Sequence, residues 1–220
     1  MSLPKQHAER RAGWRGAPKK LLILCEDSES GLHYLQDLVR DMQLHTVTVV
    51  RSSEKGTDPL SIVNEALGIR RGANRRRSPK NEQQRFDEVC AVFDGDCLLR
   101  GGSEKARFDQ AIARSNEESP IEVFVTVPCI EYWFILHLGF TDAPFQDCDE
   151  AGKKFGQKMG MDYQKSHPKV FELLKTHDPN GQSQAIQNAQ FLRERHPSRF
   201  SSPSTEIDRL IKKLEAFQIQ

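Results

Sequence analysis

At 220 residues, with 37% hydrophobic and 29% charged residues and a formal net charge of +1, the chain can bury a sizeable core without metals or disulfides to staple it. That balance excludes a disordered chain, and no apolar run approaches the roughly 18 residues of a membrane span. The opening MSLPKQHAERRAGWRGAPKK is basic but lacks the apolar core and cleavage site of a signal peptide, so the expected location is cytoplasmic and no membrane partner is expected.

Charge is distributed unevenly. Lys5 to Lys20 carries six basic residues against one acid, and RRGANRRRSPK, from Arg70 to Lys80, carries six and no acid. Residues 1–18 are expected to form a flexible basic arm and 70–86 a mobile basic loop; each is either a solvated segment or a contact for nucleic-acid phosphates. Five cysteines, at 25, 90, 97, 129 and 148, form no CxxC pair and sit largely in or beside apolar runs, which predicts reduced, buried thiols rather than zinc ligands or disulfides.

LLILCE (Leu21 to Glu26) is a continuous apolar run of strand length ending in acids, and GLHYLQDLVRDM then spaces Leu32, Leu35, Leu38, Val39 and Met42 along one helix face, with Ser28 or Ser30 as its cap. Thr46 to Arg51 is β-branched and strand-like. Asp58-Pro59 opens the next helix with a capping residue followed by proline at the first helical position. Glu88 to Asp94 predicts a third strand, Glu104 to Asn116 a helix, and Ile121 to Val127 a fourth strand stopped by Pro128. Beyond Gly139 strand signals vanish, and segments near 149–159, 168–176, 182–195 and 204–217 are helix-compatible. Strands alternating with helices predict an α/β fold: a mainly parallel four-stranded sheet over residues 19–140, flanked by helices, with a helical C-terminal extension over 141–220.

The sharpest chemical signal is VCAVFDGDC, from Val89 to Cys97, which sets Asp94 and Asp96 directly after a buried strand. Ligands of open α/β sheets bind beyond the carboxyl ends of the strands, where Glu26 also lies. Carboxylates two apart on an extended chain are about 6.5–7 Å apart along it, and a turn brings them close enough for one hard cation such as Mg²⁺. The alternative is that both aspartates cap the turn that follows.

Three segments resemble the RloB family, a branch of the Toprim fold found in prokaryotic abortive-infection and restriction-associated loci. LLILCEDSESGLHYL resembles its strand followed by CEG and a helix; VCAVFDGD resembles its VFDxD; VPCIEYWFILHLGF (Val127 to Phe140) resembles its NPCFEhWhhhHF block, where h is apolar. Asp27 stands in place of the family's glycine, Gly31 where an acid often lies, and Val127 in place of its asparagine.

The resemblance implies a Toprim-like (Rossmann-like) domain and Mg²⁺- or Mn²⁺-dependent phosphodiester hydrolysis on DNA or RNA. Glu26 would then be a metal ligand or general acid/base, Asp94 and Asp96 metal ligands, and Glu131 a further ligand. Glu131 alternatively is a carboxylate favoured at a helix start. Lys165, within a YxK element with Tyr163, would stabilise charge on the phosphate; a solvated lysine is the alternative. Trp133, Phe134 and Leu136 read as core and His137 as structural. The family context further implies an ABC/OLD-like ATPase partner (RloA-like), since no GxxxxGK(S/T) motif occurs in this chain. Two other readings stay open: a non-catalytic module docking on that ATPase, and, more weakly, a phosphatase for small phosphoesters.

Overall fold

A computed structural model describes residues 18–26, 29–53, 58–75, 85–117 and 120–218. The basic arm up to residue 17, Asp27, Ser28 and the distal basic stretch 76–84 lie outside them. In chain order the elements are β1 (Leu21–Cys25), α1 (Glu29–Asp41), β2 (Val47–Arg51), α2 (Pro59–Arg75), β3 (Glu88–Asp94), α3 (Cys97–Arg100), α4 (Gly102–Ser115), β4 (Glu122–Val127), α5 (Glu131–His137), α6 (Cys148–Met159), α7 (Val170–His177), α8 (Gly181–Arg195), β5 (Ser204–Thr205) and α9 (Ile207–Gln218).

The strands form one sheet in the order β2-β1-β3-β4-β5, with Ile23 beside Cys90 and Val92 beside Phe124. The first four are parallel, as their apolar runs and intervening helices require, and β5 pairs antiparallel with β4. Because side chains alternate along each strand, both faces are buried. Leu21, Ile23, Val92 and Phe124 pack under α1 and α5–α9, and Leu22, Leu24, Phe93 and Val125 pack under α2 and α4.

Two expectations need correction. The sheet has five strands, not four: Ser204 and Thr205 carry no apolar signal and become a strand only by pairing with Val127 and Thr126. The helix opened by Asp58, whose side chain accepts the Ser61 N–H at 3.1 Å, runs on to Arg75, into the stretch expected to be a loop from residue 70. Arginine is a good helix former, and the lost apolar periodicity marks only the helix leaving the core. No helix among the described residues is long and apolar enough to cross a membrane.

Candidate metal and phosphate site

The parallel strands deliver their carboxyl ends to one side of the sheet. Glu26 follows β1, and its N–H donates to the Val92 carbonyl at 2.9 Å, so the β1–β3 ladder continues one residue beyond the strand. Its carboxylate Oε2 accepts the backbone N–H of Asp94 at 2.7 Å. Asp94 ends β3, and its Oδ1 accepts the Ile130 N–H at 3.0 Å.

The turn between the two aspartates is pinned to β4, since the Gly95 N–H donates to Thr126 O at 2.8 Å and Pro128 O at 3.0 Å. A Cβ at Gly95 would lie 2.6 Å from Val127 Cγ2, so any larger residue forces that side chain to shift. Asp96 then enters α3 without making a capping bond. It pairs instead with Arg100, one turn along, through contacts of 2.6 and 3.3 Å, and Arg100 also reaches Glu104. Neither aspartate caps its own turn.

Glu26, Asp94 and Asp96 line a single cavity of about 290 Å³ together with Asp58, Arg100 and Arg107. Asp58 is held there by Arg107 at 2.8 and 2.5 Å. Burial pushes the Glu26 carboxyl up to about 7; the Asp94 N–H lowers it and the Asp96 charge raises it. Burial also raises the Asp94 carboxyl well above the carboxylate range, and Glu26 and Glu131 add to that. The two groups are short of positive charge where they meet, and oxygen donors in that state suit a hard divalent cation.

Glu131 and Lys165 lie near Asp94 but are not part of that cavity's lining. Glu131, the first residue of α5 and only 1% exposed, accepts the Tyr163 hydroxyl at 3.0 Å and the Ser30 hydroxyl at 3.4 Å. It does not line the cavity of Glu26 and Asp96. Lys165 is exposed on the segment between α6 and α7, where its carbonyl accepts the Ser30 N–H at 3.1 Å. Burial opposes the charge on its ammonium, but Cys148, Glu131, Cys129 and Asp94 together leave its pKa above the ordinary lysine value. Ser30, considered as a helix cap, is a buried residue of α1 that ties these two segments together.

A family model described as RloB-like protein matches residues 21–214. The chain belongs to the RloB-like family. No curated protein and no solved structure matches this RloB-like protein. The matched span contains every described element except the end of α9, so the helices after Gly139 are part of the family's pattern as much as the parallel strands are.

In this RloB-like protein Trp133, Phe134 and Leu136 are fully buried in the core. His137 is also buried: its Nδ1 faces the Trp133 carbonyl at 3.0 Å and its Nε2 the Tyr34 hydroxyl at 3.4 Å. Tyr34 in turn accepts the Trp133 indole N–H at 2.8 Å. A neutral histidine protonated on Nδ1 satisfies all three contacts, and burial lowers its pKa to about 4. Arg100 and Arg107 were not among the residues expected at the site. The i, i+4 spacing of Asp96, Arg100 and Glu104 was the available signal for Arg100, whereas Arg107 pairs with the distant Asp58 and had no local one.

Proposed function

We propose that this RloB-like protein is a Mg²⁺- or Mn²⁺-dependent nuclease, or the nuclease effector subunit, of a prokaryotic anti-phage defence system, with a Toprim-like centre that hydrolyses phosphodiesters. The observation that carries the reading is the 2.7 Å hydrogen bond from the Asp94 backbone N–H to the Glu26 carboxylate, at a cavity that both residues and Asp96 line. The oxygen-only donor set fits a hard divalent ion, which when bound polarises the phosphate and activates water. Asp94 and Asp96 would hold it. Glu26, with Oε2 fixed by the Asp94 N–H, offers Oε1 as a further ligand or as the atom that moves a proton near neutral pH.

Arg107 and Arg100 add guanidinium groups at the rim, suited to the phosphate of a bound strand. The basic arm and the Arg-rich segment after residue 70 would hold the flanking backbone without reading sequence. In this reading Glu131 and Lys165 act next to the centre through Asp94, the protein works in the cytoplasm, and an ABC/OLD-like ATPase supplies any nucleotide hydrolysis.

One observation favours a second reading, a non-catalytic module docking on that ATPase: Arg100 already neutralises Asp96. The experiment is cleavage of plasmid, single-stranded DNA and tRNA pools with Mg²⁺ or Mn²⁺, with and without the ATPase, comparing wild type with Asp94→Ala. Cleavage that disappears in the variant supports the nuclease. Cleavage that persists in it, or wild type that neither cleaves with its partner nor binds Mn²⁺, overturns it in favour of the module.

A further inference from the structure

Beside Asp94 the fold assembles a second set of donors that no spacing in the sequence announces. Cys129 lies between β4 and α5 and is fully buried; Cys148 is the first residue of α6 and 8% exposed. A carboxylate oxygen of Asp94 and the two Sγ atoms all lie within 4.8 Å of one another. They come from the end of β3, the short β4–α5 connection and the start of α6.

We infer that Asp94, Cys129 and Cys148 form a binding site for a thiophilic divalent cation of the Zn²⁺ class. Two thiols and one carboxylate are a donor set that prefers Zn²⁺ to Mg²⁺, because polarisable sulfur favours the softer ion. Bond lengths of about 2.3 Å to sulfur and 2.0–2.2 Å to oxygen put tetrahedral ligands roughly 3.5–3.8 Å apart. The three atoms therefore need to close by about 1 Å, within the reach of small side-chain rotations.

Three protein ligands leave a fourth position open to water or a further ligand. The Lys165 ammonium lies close enough to Cys148, Glu131, Cys129 and Asp94 to feel their charge, so it competes electrostatically with an arriving cation. Lys165 is an exposed residue with a flexible stem, so an arriving cation displaces its ammonium without breaking the core. Asp94 is shared with the cavity of Glu26 and Asp96, so loading the thiol site withdraws a ligand from the other. That antagonism alone rests on the nuclease reading; the thiol site does not.

The test is titration of the reduced full-length protein with Co²⁺, followed by Zn²⁺ competition. Expected is a near-ultraviolet sulfur-to-cobalt absorption with strong tetrahedral visible bands, reversed by Zn²⁺, lost in Cys129→Ser and Cys148→Ser, and kept in Cys25→Ser. Zn²⁺ affinity falls more than about 10-fold in either variant, the lower end of what even the outer partners of a metal ligand cost. Lys165→Met, which leaves all three donors in place, binds Zn²⁺ more tightly. Cobalt bound without sulfur absorption, or sulfur absorption that survives the double Cys129→Ser/Cys148→Ser variant, overturns the inference. Mn²⁺ binding by Cys148→Ser is the separate readout for the hard-ion site, so the two can fail independently.

Discussion

The Glu26 carboxylate and the Asp94 backbone are joined by a 2.7 Å hydrogen bond, so a side chain that follows β1 holds the end of β3. Burial and the Asp96 charge keep the Glu26 carboxyl protonated up to about pH 7, whereas an unfolded glutamate releases its proton near 4.5. Between those values the folded protein binds more protons, so its stability falls as pH rises. Glu26→Gln keeps an acceptor for the Asp94 N–H and abolishes the titration. In metal-free buffer, wild type should lose up to about 3 kcal/mol relative to this variant from pH 4.5 to 7, measured by urea denaturation at each pH. Mg²⁺ or Mn²⁺ should return that stability to wild type above pH 7.

His137 titrates with the opposite sign. Its folded value is depressed to about 4, mainly by burial, so below 6.5 the unfolded chain takes up a proton that the folded one refuses. The contribution is complete above pH 6.5 and is lost as pH falls towards 4. Relative to His137→Gln, wild type should lose up to about 3 kcal/mol over that interval, read from denaturation midpoints.

Gly95→Ala brings a methyl group to 2.6 Å from Val127 Cγ2 and 3.1 Å from Val125 Cγ1. Overpacking of this kind costs about 1–3 kcal/mol, and here it also separates the aspartates from β4. Val127→Ala in the same chain should recover a substantial part of the loss. A double-mutant cycle measures the coupling, and additive effects would show that the two groups do not meet.

Arg100 is more than half exposed in its pair with Asp96, so Arg100→Gln should change stability by less than about 1 kcal/mol. Its effect belongs to ion binding. With the competing guanidinium gone, Asp96 is free for a divalent cation, and Mn²⁺ affinity measured by electron paramagnetic resonance should rise severalfold.

Glu206 is 3% exposed and accepts the Val125 N–H at 3.2 Å, Arg199 Nε at 2.9 Å and Arg209 Nη1 at 3.0 Å. Its own N–H donates to the Val125 carbonyl at 3.0 Å. Glu206→Ala strands a buried backbone donor and should cost about 1–3 kcal/mol. Hydrogen exchange should speed first at residues 204–210, where β5 and the start of α9 rest on β4.

How much of this was legible in the sequence depended on whether the signal was local. β1, β3 and β4 announced themselves because strands buried on both faces are uninterrupted apolar runs, β2 by its β-branched residues, and Asp58-Pro59 marked the start of α2 through its capping chemistry. Ser204 and Thr205 give no such signal, because their strand is made by the partner across the ladder and by the Glu206 network. The site divides in the same way. Glu26, Asp94 and Asp96 could be read as acids at strand ends. Cys148, by contrast, lies well beyond Cys129 in the chain, and only the docking of α6 brings its sulfur beside Asp94.

The short antiparallel strand has a consequence for how the sheet meets other chains. On the β4 side the last border is two residues long, too short to template an added strand, whereas β2 offers five residues whose only strand neighbour among the described residues is β1, and an exposed Val50. A strand added to this sheet would therefore pair with β2, on the far side of β1 from the Asp94–Asp96 turn.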